Sequence, residues 1–531
     1  MSEHPAKRRR LSEGHDPPSG VGAASGSGRG PAASLDRPIS PPPRKKATRQ
    51  QREEPDEREE RVLIPSPFHL TTIRGLPAEC NLGAVSLQDL LGDPLILECW
   101  QFNYLHDINF LMSHFDEDVR STVKVHVVHG FWKREDPNRA ALEQDATGFK
   151  NVELHTAYMP EMFGTHHSKM MILFRNDDTA QVIIHTANMI SKDWTNMTNA
   201  VWSTPMLPLS KTENEDFTIG SGHKFKSDLL SYLRAYNTKR SVCRPLVDSL
   251  ARYDFSAVQG TLIASIPGRH AVETDPRETR WGWAALKQAM RVIPVQPGKA
   301  EVVVQVSSIA TLGGSDSWIQ RTLFDSLSSS AKSSSRPDFK VVFPDFSEIR
   351  RSLDGYASGG SIHTKIQSAQ QAKQLQYMRP IFCHWANDAE MGAKLAEGLE
   401  VRDAGRKRAA PHIKTYIRYG EKSIDWALLT SANLSKQAWG EAASSSQQIR
   451  VASWEIGVLV WPELLADNAK MIGTFKTDSP SPAELEGDCP LIGLRIPYNL
   501  PLQPYGNEEV PWVATMAHTE PDWMGKTWEG W

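Results

Sequence analysis

One repeat limits what this chain can fold into more than any other feature. Residues 165–194 read THHSKMMILFRNDDTAQVIIHTANMISKDW, and residues 411–439 read PHIKTYIRYGEKSIDWALLTSANLSKQAW. In each copy a His is followed two positions later by a Lys, and nineteen positions after that by an Asn: His167, Lys169 and Asn188, then His412, Lys414 and Asn433. A lone His-x-Lys carries little information. Two copies that both end in a small residue, Ala and Asn, and run on to a Lys and a Trp imply a duplicated unit.

The spacing has a physical reading. Residues i and i+2 of an extended segment share a face, so His and Lys of each copy project into one cleft. The apolar runs Met170–Phe174 and Thr415–Ile417 predict buried strands. Second strands over Gln181–His185 and Trp426–Leu429 would deliver the Asn residues at their ends. Two such units, facing across a pseudo-two-fold, supply two imidazoles, two ammonium groups and two amides, with no carboxylate or thiol in the set. That inventory suits a phosphodiester, which needs fixed positive charge and donors around its non-bridging oxygens, a nucleophile and a proton donor. The lysines supply the charge a divalent ion would otherwise bring, so neither metal nor cofactor is expected.

Elsewhere the pattern alternates strand and helix. Strands are predicted over 95–100, 124–131, 261–265, 301–307 and 339–343, and helices over 108–115, 226–236 and 283–292. The fold class is therefore α/β. At 531 residues the chain exceeds one typical domain. We divide it into a tail over 1–61, a first half over 62–265 and a second half over 266–531. The tail is rich in Pro, Gly, Ser, Arg and Glu and too poor in apolar residues to offset its ordering entropy. Its clusters Lys7-Arg8-Arg9-Arg10 and Arg44-Lys45-Lys46 predict a nuclear address or a DNA-tethering arm.

The net charge of −3 does not announce a nucleic-acid binder, although a local basic groove suffices for one. The five cysteines form no metal-binding spacing and read as reduced intracellular thiols. No apolar run is long enough to cross a membrane, and no secretion signal is expected before the fold. Both motifs lie in one chain, so a monomer suffices.

His-x-Lys with a late Asn resembles the phospholipase D superfamily. That signature usually carries an Asp where Phe174 and Tyr419 stand here. The missing Asp, with FGTHHSKMM, IHTANMI, PHIKTY, TSANLSKQAWG and SWEIGV, resembles the type 1 tyrosyl-DNA phosphodiesterase branch, of a fungal kind, over roughly 62–531. The resemblance implies two phospholipase D-like α-β-α sandwich domains. It also implies hydrolysis of the bond between a DNA 3′ end and a topoisomerase IB-derived tyrosine or peptide, through a covalent phosphohistidine and without metal.

Roles follow from the same resemblance. His167 is the expected nucleophile and His412 the expected acid and base, while Lys169, Lys414, Asn188 and Asn433 hold the phosphoryl oxygens. The sequence is nearly symmetric and by itself does not decide which imidazole attacks. Glu455, in SWEIGV, is expected to bond a catalytic imidazole. Asn199 stands where the family has Gln, one methylene longer, which leaves its reach open. Tyr104, Phe163, Ser307 and Ser308 are expected to contact DNA, and Trp528 to line the peptide side. The segment GYASGGS over 355–361 is expected to be a loop with free backbone amides, and Arg406-Lys407-Arg408 is either a DNA-backbone contact or an exposed loop. Rival readings are another metal-independent nuclease or a phospholipase of the superfamily, and a non-catalytic protein that binds DNA ends.

Overall fold

The computed structural model describes residues 62–211, 216–275, 277–330, 336–386, 401–484 and 489–530. The tail and its basic clusters lie outside these residues. Strand β1 (Leu63–Ile64) opens the described chain. A seven-stranded sheet follows, from β2 (His69–Leu70), β3 (Ile96–Phe102), β4 (Lys124–His129), β5 (Val152–Thr156), β6 (Met170–Arg175), β7 (Ala180–His185) and β8 (Ala200–Ser203), in the order β2-β8-β7-β6-β3-β4-β5.

The remaining strands run in chain order: β9 (Thr261–Ser265), β10 (Gly268–Ala271), β11 (Glu301–Gln305), β12 (Asp338–Val342), β13 (Phe382–Cys383), β14 (Thr415–Tyr419), β15 (Ile424–Thr430), β16 (Gln448–Val451), β17 (Glu455–Val460), β18 (Lys470–Thr474) and β19 (Leu491–Arg495). Within the second sheet the path β9-β17-β15-β14-β11-β12-β13 repeats the first sheet strand for strand. Both paths have four antiparallel pairings followed by two parallel ones. The repeat seen in thirty residues of sequence is thus a repeat of the whole sheet.

Two details refine the division of the chain. β9 ends at the residue where we drew the boundary, yet it pairs with β17 and occupies the place that β2 holds in the first sheet. β1 pairs with β19, so the first described residues belong to the second sheet. By backbone contacts, the described residues form one compact unit.

The layers follow from which faces are apolar. One face of each sheet, represented by Met170, Ile172, Ile184 and Trp202 and by Leu429, Ile456 and Val458, shares a core with the helix Gly222–Ala235. That helix is capped by Ser221 and buries Phe225, Leu229, Tyr232 and Leu233, the spacing of a helix stripe. The opposite face of the first sheet is covered by helices Leu87–Leu91, Ile108–Ser113 and Pro137–Ala146. Helix Trp283–Met290 and its neighbours cover the second. Among the described residues no helix is long and apolar enough to cross a membrane.

Two local expectations change. GYASGGS is not an open loop: Tyr356–Gly359 is a helical turn, the amides of Ser358, Gly360 and Ser361 are spent on carbonyls within the same segment, and that of Gly355 on the Ser352 carbonyl. Arg406 is fully buried and donates to the Thr71 carbonyl, while the Arg408 guanidinium lies over the Trp523 ring. Of the basic run, only Lys407 and Arg408 reach the surface.

Candidate active site

Each His-x-Lys lies in the extended lead-in to a strand, not within it, because β6 starts at Met170 and β14 at Thr415. The alternation still holds. His166 and Ser168 turn inward, where His166 Nε2 lies 3.0 Å from the Tyr236 hydroxyl and Ser168 bonds Tyr232. His167 therefore faces the other way, into a cleft of about 340 Å³.

Backbone ties between the halves set the geometry. His167 N donates to the Trp454 carbonyl at 3.0 Å, and Trp454 N donates to the Thr165 carbonyl at 2.9 Å. The next residue, Glu455, then meets His167: its Oε2 accepts from Nδ1 at 2.9 Å. Ser431 Oγ donates to the same carboxylate at 2.5 Å. The second motif is built the same way. The amides of His412 and Ile413 both donate to the Thr198 carbonyl, at 3.0 and 2.8 Å. The next residue, Asn199, places Oδ1 3.1 Å from His412 Nδ1. Asn199 Nδ2 is held by the Asp193 carbonyl at 2.7 Å, so its oxygen must face the imidazole. The shorter amide reaches because Thr198 is stitched directly to the motif.

In both rings the bonded Nδ1 carries the proton, which leaves Nε2 unprotonated toward the cleft. Burial holds the pKa of His167 below the ordinary range, partly offset by Glu455, with Lys169 lowering it further. Burial and then Lys414 hold His412 far below it. The two lysines are fully buried, each donating to the carbonyl of its own motif's histidine. Burial brings Lys169 down to about 8 and lowers Lys414 further, with Lys169 adding repulsion.

The amides differ in their settings. Asn433 Oδ1 accepts from the Ser308 amide at 2.9 Å and the Ser307 amide at 3.1 Å, which turns its NH₂ away from these donors. Asn188 and Asn433 both line the cleft. Ser307, Ser308, Phe163 and Tyr104 line it too, with Phe163 76% exposed at the rim and the Tyr104 ring 5.9 Å from the His167 ring. The structure does not bring Trp528 there. Its Nε1 donates to the Ala514 carbonyl at 2.9 Å and its ring packs on Trp512, so packing at the chain's end consumes it. Phe174 and Tyr419, at the positions of the absent Asp, point into core contacts with Tyr253 and Tyr498.

Sequence reasoning missed two groups. Asp193 is fully buried, with Oδ2 3.2 Å from His412 Nδ1 and accepting from the Asn188 amide at 2.8 Å. The signal was available, since it stands between Lys192 and Trp194 where the other copy has the uncharged Gln437 and Ala438 between Lys436 and Trp439. His363 also lines the cleft, with burial pushing its imidazole down to about 4. It lies outside both motifs, beside Ser308 through a short backbone bridge, and no spacing pointed to it.

A model of the tyrosyl-DNA phosphodiesterase family matches residues 67–506. A probable tyrosyl-DNA phosphodiesterase of Schizosaccharomyces pombe is 30% identical, over 88% of this chain and 96% of that one. Tyrosyl-DNA phosphodiesterase 1 of Arabidopsis thaliana is 28% identical, over 88% of this chain and 77% of its own. The crystal structure of a yeast tyrosyl-DNA phosphodiesterase shares the fold at a TM-score of 0.59 and 20% identity, covering 84% of this chain and 98% of the other.

Proposed function

Because the chain belongs to the tyrosyl-DNA phosphodiesterase family, within the phospholipase D superfamily, we propose that it hydrolyses the phosphodiester between a DNA 3′ end and a tyrosine, as a stalled type IB topoisomerase leaves it. One observation carries this reading: two imidazoles, each anchored at Nδ1 by a residue of the opposite half, face one cleft, and each carries a fully buried lysine two residues further on.

His167 Nε2 attacks phosphorus as the bond to the phenolic oxygen breaks. Glu455, on the far nitrogen, favours the positive charge that the ring acquires on forming the phosphohistidine. His412 Nε2–H gives its proton to the leaving oxygen. Its low proton affinity comes from burial and the lysines; a bound phosphodiester offsets the lysine charge and favours the imidazolium. The ring's Nδ1 lies between Asn199 Oδ1 and Asp193 Oδ2, an arrangement that suits a ring alternating between neutral and charged forms. Neutral His412 then takes a proton from water, which attacks phosphorus, frees His167 and leaves a 3′-phosphate.

Lys169, Lys414, Asn188 and Asn433 meet the charge that develops on the phosphoryl oxygens. Tyr104 and Phe163 offer rings to bases or to the departing aromatic. Both motifs come from one chain, so we infer a monomeric enzyme acting on single-stranded or nicked DNA ends, with the tail's basic clusters directing it to the nucleus.

The test is release of tyrosine from a single-stranded oligonucleotide with a 3′-phosphotyrosine, in EDTA. Product ending in 3′-phosphate is expected. Product only when Mg²⁺ is restored would overturn the lysine account. No product in either condition, alongside internal nicking or lipid headgroup release, would assign another phosphodiester to the cleft.

A further inference from the structure

Outside the cleft, the parallel strands β3, β4 and β5 bring a second set of imidazoles together. Trp100 lies opposite His126, and His126 opposite Glu153. His155 is two residues beyond Glu153 and so shares its face of β5. His126 Nδ1 is 3.1 Å from His155 Nε2 and 3.5 Å from Glu153 Oε2, and His155 Nε2 is 3.8 Å from Glu153 Oε1. We propose that His126, His155 and Glu153 bind a divalent first-row transition ion, Zn²⁺ being the one the donors suit best.

Two ligands about 2.0–2.1 Å from a tetrahedral zinc stand roughly 3.3–3.4 Å apart; the two imidazole nitrogens stand 3.1 Å apart, and a Glu153 oxygen lies 3.5 Å from one and the other oxygen 3.8 Å from the second. Two imidazoles and a carboxylate are a donor set that leaves a fourth position for water. The rings are held in place without the ion. Trp100 stacks on His126 at 4.0 Å and 12°, and on His155 at 5.4 Å and 15°. Behind His126, its Nε2 lies 3.5 Å from Glu98 Oε1, and the same oxygen accepts from Trp100 Nε1 at 2.6 Å. A carboxylate behind a ligating imidazole fixes the ring and raises its donor strength.

The Glu153 side chain is 66% exposed, which gives an ion a path of entry from solvent. None of these residues lines the catalytic cleft. The buried trio Asp345, Glu348 and His384 makes the contrast. There the backbone amides of Asp345, Glu348 and Ala386 already occupy carboxylate oxygens, and His384 is taken up by Glu509.

The experiment is titration of the full, tag-free chain with Co²⁺, read by its absorption bands, and with Zn²⁺, read by calorimetry and by Tm. One equivalent taken up, with Tm rising by mass action, is expected. Glu153→Gln changes only an exposed side chain and should weaken binding more than Glu98→Gln, which removes the carboxylate behind His126 and should cost roughly 10-fold or more. His155→Gln should abolish the Tm rise while tyrosine release in EDTA stays at the native level. No saturable uptake by the native chain would overturn the proposal, as would uptake unchanged in Glu153→Gln and His155→Gln.

Discussion

Asn199 Oδ1 lies 3.1 Å from His412 Nδ1, although the two residues come from opposite halves of the chain. Glu455 and His167 mirror the arrangement at 2.9 Å. In both cases the residue just before the anchor, Thr198 or Trp454, is hydrogen-bonded to the backbone of the other half's motif. The site is a mutual clamp, in which each half orients the other's imidazole.

Asn199→Ala removes the clamp on His412 without touching the cleft surface. We expect kcat to fall roughly 10–100-fold with KM little changed, the usual cost of losing the partner behind a functional imidazole. Steady-state kinetics on the 3′-phosphotyrosyl oligonucleotide checks this, and an unchanged kcat would mean that Asp193 alone suffices.

His167→Ala should abolish turnover, whereas His412→Asn should accumulate covalent protein–DNA. A phenolate leaves readily without a proton, but water attacks poorly without a base. Denaturing gels of the His412→Asn reaction should show a shifted band; its absence would remove His412 from the second step.

Lys414, lowered further than Lys169, loses its charge first as pH rises, and Lys169 sets the upper edge of the alkaline limb. Burial lowers Lys169 to about 8, so the free enzyme loses this charge as pH rises through that value. Because kcat/KM follows ionisations of the free enzyme, it should decline above about pH 8. A profile flat to pH 10 would show that substrate does not require the charged form.

Gly164 sits between the rim residue Phe163 and the first motif. A Cβ there would stand 1.9 Å from the Ala452 carbonyl oxygen, so backbone would have to move. Gly164→Ala should loosen the tie that brings Glu455 to His167, lowering both Tm and kcat; a variant with native values would show that the 164–167 segment yields without cost.

Acid should unfold the protein through buried neutral histidines. Burial holds His166 and His185 down to about 3, against an ordinary value of 6.5. Between those values the unfolded chain binds more protons than the folded one. The stability these histidines contribute is present above pH 6.5 and is lost as pH falls toward 3, at up to about 1.4 kcal/mol per pH unit for each group. Urea unfolding between pH 7.5 and 4.5 measures the slope, and His185→Gln should flatten it if the variant remains folded.

Much of this was legible in sequence. Strands Thr261–Ser265 and Met170–Arg175 follow from short apolar runs bounded by polar or turn residues, and helix Trp283–Met290 from a longer apolar pattern. What was hidden depended on neighbours distant in the chain. That GYASGGS folds as a turn depends on Asp522, whose Oδ2 accepts from the Tyr356 amide at 3.1 Å. That Trp528 packs away from the cleft depends on Trp512 and Ala514.

The sequence alone determined the duplication, the His-Lys-Asn sets and their common faces, because alternation and spacing are properties of the backbone's own geometry. Only the tertiary structure decided that Asn199 reaches, that Asp193 joins His412, and that His126 meets His155. Such contacts lie across strand pairs and between halves, where register and packing, not local spacing, set the distance between side chains.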